Sequence, residues 1–480
     1  MGSSAYLSGL RYIVPEIVVL GTAVVSLFIH LFAGRRGPRL AGAAALAGLA
    51  AGALMAAASS ASPGSIFAGG LVVDRFALFL KAVVLLAGGL SILVSFRFFN
   101  VERHEPGEIY SLFLLSIVGM MAAVSSADLI STYVAFELFA IVSYVLAGIS
   151  KHDKRSPEAG VKYFFLGTLS SGIMLLGMAL VFGLTGETHY AAVGRLLPSA
   201  DGHVALTGMI LFFAGLFFKA SLVPFHMWAP DVYEGAPTPV VIFLSTAPKA
   251  AVFAILIRLI TSVFPGFEAD WKSIFQVIAL ASMFWGNIAA LLQRNVKRLL
   301  AYSSIAHAGY LAIGLAAWGD GARTAILFYL VFYAVMNAAA FGMVLLLRHG
   351  EGFGEEIDDL RGLARRSPLT GASVIVILLS LTGIPPTAGF IGKYLLFMAA
   401  VDKGLYALAV AGALNSVISL VYYFRIGRAV FLDEPEALAT AEAAGGGAGV
   451  VLWFAAAAVL AFGVLPSLLL DAAAAAVLIP

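Results

Sequence analysis

The residues most able to do chemistry are ionisable groups set inside long apolar runs: Lys81, Glu137, Lys162, Lys219, Lys249, Arg258 and Lys393, with His226 and His307 as candidate proton relays. An ionisable side chain at the centre of a bilayer costs at least ~2.5 to 3.5 kcal/mol on insertion scales, so such residues mark a pathway or a paired site. Glu137 sits about mid-span in the run STYVAFELFAIVS, where an unpaired carboxylate is driven neutral and a nearby cation is needed. A neutral carboxylic acid hydrogen-bonded to a neighbouring helix is the plain alternative. Lys219 follows more than ten uncharged residues and precedes Pro224 by five. Desolvation lowers the proton affinity of a lysine and a neighbouring carboxylate raises it, so a lysine with a movable acidic partner can change affinity on demand, as a pump requires. Lys249 lies beside Pro248 and Lys393 seven residues beyond Pro386, which makes three mid-membrane cations with Lys219. Lys162, one turn after Glu158, reads equally well as half of an ordinary surface pair. Lys81 and Arg258 lie nearer span ends and read as side chains that snorkel to the headgroups. Both histidines suit a proton wire, because a neutral imidazole accepts on one nitrogen and donates from the other, but a satisfied core histidine fits each of them too. A bis-histidine haem is disfavoured, since no pair of helices each offers two suitably spaced histidines.

The elements that must position these groups follow from composition. Of 480 residues, 61% are apolar and 12% charged, against ~25% charged in a soluble domain. A soluble globular protein is excluded. Windows of the ~20 apolar residues needed to span a bilayer follow one another, and their continuity in Leu, Ala, Val, Ile, Phe and Gly excludes the alternating pattern of a transmembrane barrel. The first run, Tyr12 to Ala33, is too long for a signal-peptide core and reads as a retained span. Zero cysteines exclude disulfides, thiolate zinc sites and cysteine-ligated iron–sulfur clusters. A net charge of +2 without a basic tract leaves no electrostatic case for nucleic acid.

The pattern predicts an all-α polytopic membrane protein with about fourteen spans, near 12–33, 39–58, 74–97, 109–125, 127–149, 158–183, 205–222, 238–262, 272–292, 297–317, 322–347, 370–400, 404–430 and 448–470. Loops after odd-numbered spans carry 17 Lys and Arg, Arg103 among them, and the opposite loops 6, which predicts both termini on the outer face. Spans seven and twelve are interrupted by proline in LFFKASLVPFHMWAP and LTGIPPTAGFIGKYLLF. Discontinuous helices at corresponding places in two halves point to a transport site between repeats. Their odd offset reverses helix direction, so spans four to eight and nine to thirteen are expected to be inverted five-helix repeats. The expected division is 1–108 for a three-helix segment, 109–262 and 272–430 for the repeats, and 431–480 for a linker and last helix. Gly445–Gly449 lacks the lysine of a phosphate loop and reads as linker, and Gly48 with Gly52 reads as close helix packing.

Three stretches carry a resemblance: KASLVPFHMWAPDVYEGAPTP from Lys219 to Pro239 with Pro248-Lys249-Ala250 after it, NVKRLLAYSSIAHAGY from Asn295 to Tyr310, and PEAGVKYFFLG from Pro157 to Gly167. Over roughly residues 100 to 430 the chain closely resembles the subunit N family of the proton-translocating NADH–quinone oxidoreductase, respiratory complex I. The run PDVYEGAPTPV separates that family from its antiporter-like siblings. The resemblance implies a subunit that moves protons in a bacterial inner membrane, among other membrane-arm subunits and those siblings. NADH, FMN, iron–sulfur clusters and quinone would be handled by other subunits, and none by this chain. It matches Glu137 to an essential mid-span glutamate, Lys219, Lys249 and Lys393 to the lysines of spans seven, eight and twelve, and Lys162 to a lysine of span six. The family's largest sibling carries a long amphipathic helix after its core, whereas this chain ends about ten residues past its last span, which favours subunit N. The expected mechanism is a Glu137–Lys219 ion pair whose making and breaking passes protons by Lys249 and His307 to Lys393. A cation/proton antiporter subunit and a membrane subunit of a related hydrogenase or formate-linked complex are the competing readings, and a purely structural role is the plain one.

Overall fold

With no water in the hydrocarbon core, each backbone N–H and C=O must be satisfied within its own segment, and a helix does this for a continuous apolar run. The computed structural model describes residues 9–59, 64–102, 107–346, 348–349, 352–434, 439–440 and 447–479; Arg103 and the first two glycines of the Gly445–Gly449 run lie outside them. Thirteen described helices are long and apolar enough to cross a membrane, and the crossing expected near 370–400 is made by two shorter ones. In chain order they are α1 Val14–Phe32, α2 Gly37–Ala58, α3 Arg75–Glu102, α4 Glu108–Ser125, α5 Leu129–Ala147 and α6 Arg155–Thr185. A broken seventh crossing follows as α7a Gly202–Ala220 and α7b Trp228–Gly235, then α8 Thr238–Arg258, α9 Glu268–Leu291, α10 Val296–Ala316 and α11 Asp320–Gly342. The broken twelfth is α12a Pro368–Thr382 and α12b Ala388–Asp402, and α13 Tyr406–Phe431, α14 Gly447–Val464 and α15 Ser467–Ala475 complete the chain.

Short polar residues start several of these helices by taking orphan backbone donors. The Asp128 carboxylate accepts from Ile130 N and Ser131 N at the head of α5, and Asn295 accepts from Arg298 N at the head of α10. The last span was expected to run unbroken to residue 470. It stops at Val464 instead, because Pro466 cannot supply a helical N–H, and the chain turns into α15. A two-stranded antiparallel hairpin, Gly64–Ile66 with Leu71–Val73, joins α2 to α3 and has no counterpart among the sequence expectations.

Helix α8 is buried along its whole length and α10 and α11 nearly so, making them the centre of the molecule. Around them α3 packs on α8, α6 on α7a and α9 on α10. Outer helices keep lipid-facing apolar stripes, such as Phe164, Phe165 and Leu169 on α6. Gly48 lets α2 approach α1, since a Cβ there would lie 2.3 Å from Thr22. The two five-helix units correspond: α4 packs on α8 as α9 packs on α13. Their broken helices also end alike. Ser221 (φ 61°) and Gly383 (φ 89°) both take the left-handed conformation. The next N–H then reaches back five residues, from Leu222 to Phe217 O at 2.9 Å and from Ile384 to Leu379 O at 3.0 Å.

Candidate functional site

Lys219 occupies the last turn of α7a, just before the break. Its ammonium lies 4.8 Å from the ring centre of Tyr163, 5.1 Å from Tyr144 and 5.3 Å from Phe139. These rings come from α5 and α6, and the box is closed from α7b by Trp228, stacked on Tyr163 at 4.2 Å. Trp228 Nε1 donates to Phe218 O at 2.7 Å, so one side chain seals both the cage and the loosened end of α7a. Among the described residues Lys219 Nζ has no hydrogen-bond partner. The expected ion pair with Glu137 is therefore not made in this structure. Glu137, half-buried on α5, accepts instead from the Ser171 hydroxyl, which also meets Tyr133 Oη at 3.2 Å. Ring faces are partially negative and attract a cation held over them.

Lys249 lies in buried α8, one residue past Pro248. It donates to Ser304 O at 2.7 Å, to Ser304 Oγ at 2.5 Å and to Tyr333 Oη at 3.3 Å. Ser304 Oγ and Tyr333 Oη are themselves 2.8 Å apart. One turn along α10, His307 places Nδ1 2.5 Å from Tyr329 Oη and Nε2 3.3 Å from Tyr423 Oη. Its ring centre is 5.6 Å from that of Tyr333 and 5.7 Å from that of Tyr310. Tyr310 carries Lys393 over its face at 4.4 Å. Lys393 reaches from α12b across the break to donate to Leu381 O and Thr382 O, 2.9 Å each. These are the last carbonyls of α12a, where the helix dipole is negative and a cation is favoured. Lys249, His307 and Lys393 are thus brought into one buried polar row.

The other candidates lie elsewhere. Lys162 is 45% exposed and ion-paired to Glu158 at 2.8 Å and Asp231 at 3.3 Å, in a rim cleft of about 230 Å³ that also holds Glu234 and Arg298. Beside it Glu355 joins Lys297 (3.0 Å) to Arg155 (2.9 Å). Burial by itself pushes the Glu355 carboxyl up, but Lys297 and Arg155 outweigh it and hold the group below the usual carboxylate range. His226 is buried at the α7 break, its ring 5.8 Å from Trp285, and its Nδ1 has no hydrogen-bond partner among the described residues.

Lys81 and Arg258 do not snorkel. Lys81 is fully buried 2.6 Å from the Glu16 carboxylate of α1. Arg258 donates to Asp74 Oδ1 and to Val124 O, 2.9 Å each. Nearness to a span end suggested headgroups, but the deciding partners stand 65 and 184 residues away in sequence and meet these cations only in the fold. Sequence reasoning also passed over Glu16, Asp74, Ser304 and the tyrosines 144, 163, 310, 329, 333 and 423. The four-residue spacing of Tyr329 and Tyr333, and the three-residue spacing of Ser304 and His307, was the available signal of polar faces turned inward.

A family model described as NADH:quinone oxidoreductase/Mrp antiporter, TM, matches residues 126–419, the part of the chain that holds Glu137, Lys219, Lys249, His307 and Lys393. NADH-quinone oxidoreductase subunit N of Trichlorobacter lovleyi is 41% identical over 421 residues, 87% of this chain and 86% of the relative. The chain belongs to the NADH–quinone oxidoreductase subunit N family. The family's member from Rhodospirillum rubrum is 40% identical over 468 residues, 96% of each chain. In the solved respiratory complex I from Thermus thermophilus with bound aureothin, one chain superposes with TM-score 0.80 at 34% identity, covering 95% of this chain and 99% of that one. A chain of an archaeal membrane-bound sulfane sulfur reductase matches with TM-score 0.83 at 26% identity over 96% of each chain. A chain of the Mrp complex from Dietzia, at TM-score 0.81 and 23% identity over 97% of each, shares the fold. As a member of this family the protein is a multi-pass, antiporter-like membrane subunit.

Proposed function

We propose that this chain moves protons across a bacterial inner membrane as a membrane-arm subunit of NADH–quinone oxidoreductase, while NADH, FMN, iron–sulfur clusters and quinone are handled by other subunits. One contrast supports the reading. Of six buried cations among the described residues, Lys81, Arg258 and Lys297 have carboxylate partners within 3.0 Å, whereas Lys219, Lys249 and Lys393 have rings, hydroxyls and carbonyls. A carboxylate pins a buried charge in place. Rings and hydroxyls tolerate either protonation state, because a hydroxyl can donate or accept.

In the proposed cycle Glu137 leaves Ser171 and approaches Lys219, favouring the protonated amine, and its withdrawal releases the proton toward Lys249. Ser304, Tyr333, His307 and Tyr329 then carry it toward Lys393, with water bridging the intervals that side chains do not close. Lys162 at the rim and His226 at the α7 break complete the proposed set, although neither contacts a buried lysine in this structure. The excess of loop Lys and Arg supports an outer location for both termini. The repeat boundaries 109–262 and 272–430, flanked by 1–108 and 431–480, belong to the same reading.

The test is NADH-driven proton uptake in inverted membrane vesicles. Complexes carrying Lys219→Ala or Glu137→Gln should assemble, oxidise NADH more slowly and pump few or no protons. Parental pumping by Lys219→Ala would overturn the assignment. Sodium-dependent proton exchange without NADH would instead support an antiporter subunit.

A further inference from the structure

At the end of the molecule that carries the excess of Lys and Arg, a cleft of about 350 Å³ opens between the C-terminal ends of α9 and α13 and the loop before α12a. Four arginines line it: Arg294, Arg361, Arg425 and Arg428. Arg361 and Arg428 are offset by Asp358 (2.8 Å) and Asp433 (3.3 Å). Arg425 donates to two carbonyls, Leu291 O at 2.6 Å and Gln293 O at 3.3 Å, and the exposed Arg294 makes no side-chain hydrogen bond or ion pair among the described residues. Four guanidiniums thus face three carboxylates, Glu356 being the third beside Asp358 and Asp433, and Arg294 and Arg425 have no ion pair among the described residues.

The membrane side of the cleft is apolar. On α13, Val410, Leu414, Val417, Val421 and Phe424 form an exposed stripe at helical spacing, and its next position is Arg428. Ile288 and Leu292 of α9, also exposed, lie on the adjoining helix. A lipid-facing stripe that runs into paired guanidiniums has the shape and charge order of a phospholipid: chains along the stripe, phosphate among the arginines. Guanidinium forks match phosphate oxygens bidentately, and basic pockets at the ends of membrane helices take acidic headgroups. A free anion would use the arginines and leave the stripe idle.

We propose that this cleft binds the headgroup phosphate of an anionic phospholipid whose acyl chains lie along the α13 stripe. The site is distinct from the proton path, and none of its arginines contacts the lysine cage or the buried row in this structure. The test places a photoreactive residue at position 421 of the chain within the assembled complex in native membranes. Illumination should give adducts enriched in phosphatidylglycerol over phosphatidylethanolamine. Adding Arg294→Gln and Arg425→Gln should cut the phosphatidylglycerol adduct on the order of tenfold or more while the phosphatidylethanolamine adduct persists. An unchanged lipid ratio in the double variant overturns the proposal, and so does cross-linking to another subunit, which would make the stripe a protein interface. In the delipidated complex, phosphatidylglycerol should raise the thermal midpoint and inorganic phosphate should not. Equal protection by phosphate would reduce the cleft to an ion site.

Discussion

At the scale of single residues, each buried polar group is explained by what answers it. Pro248 has no N–H, so the Leu244 carbonyl one turn earlier loses its donor within α8. Tyr233 Oη, from α7b, donates to that oxygen at 3.3 Å. This contact keeps the bend beside Lys249 satisfied and ties the broken helix to the central one. Tyr233→Phe should leave the carbonyl bare at a cost of ~1 to 3 kcal/mol. A lower thermal midpoint of the purified complex, with proton uptake reduced through a displaced Lys249, is the expected outcome. An unchanged midpoint would mean that the carbonyl finds another donor. The same accounting separates the buried cations: Lys81, Arg258 and Lys297 meet carboxylates, and Lys219, Lys249 and Lys393 meet rings, hydroxyls and carbonyls.

At the scale of elements, the broken helices are the devices that bring charge to mid-membrane. Each has a lysine close to its break in sequence, placed by a different route. Lys219 precedes its break on α7a, while Lys393 follows its break and folds back onto α12a. Gly383 makes the second arrangement feasible, since at φ 89° an alanine is strained and its Cβ would lie 2.9 Å from Lys393 Cδ. Gly383→Ala should therefore displace Lys393, lower pumping and destabilise the complex by ~1 to 2 kcal/mol. Ser221, left-handed at φ 61°, sits at the equivalent point of α7. There Ser221→Gly should be neutral or stabilising by up to ~1 kcal/mol. Thermal midpoints of the two variants moving in the same direction would contradict this account of the breaks.

At the scale of the whole molecule, Asp74 works as a three-way fastener. Its carboxylate receives Arg258 of α8 at 2.9 Å, Ala77 N of α3 at 2.7 Å and Ile479 N of the C-terminal tail at 3.0 Å. The start of α3, the end of α8 and the last described residues are thereby locked at one face. Asp74→Ala should leave a buried, uncompensated guanidinium and cost ~3 to 5 kcal/mol, seen as less assembled complex in membrane extracts. Pairing it with Arg258→Leu should restore much of the yield, and proton pumping with it, because an apolar replacement of a buried ion pair is often neutral. Recovered assembly without pumping would move Arg258 from the scaffold into the proton path.

Apolar run lengths, proline positions and cap residues are local properties, which is why the crossings and the two breaks could be read from residue order. The same holds for Glu137, Lys219, Lys249 and Lys393, since a charge in a long apolar run stands out wherever the run folds. What surrounds each charge is decided by residues tens to hundreds of positions away. No local pattern shows that Lys81 meets Glu16, that Arg258 meets Asp74, or that Lys219 sits among three rings instead of beside Glu137. Residue order determined which groups enter the membrane. Only the packing of helices against one another decided which of them meet a carboxylate and which meet rings, hydroxyls and carbonyls.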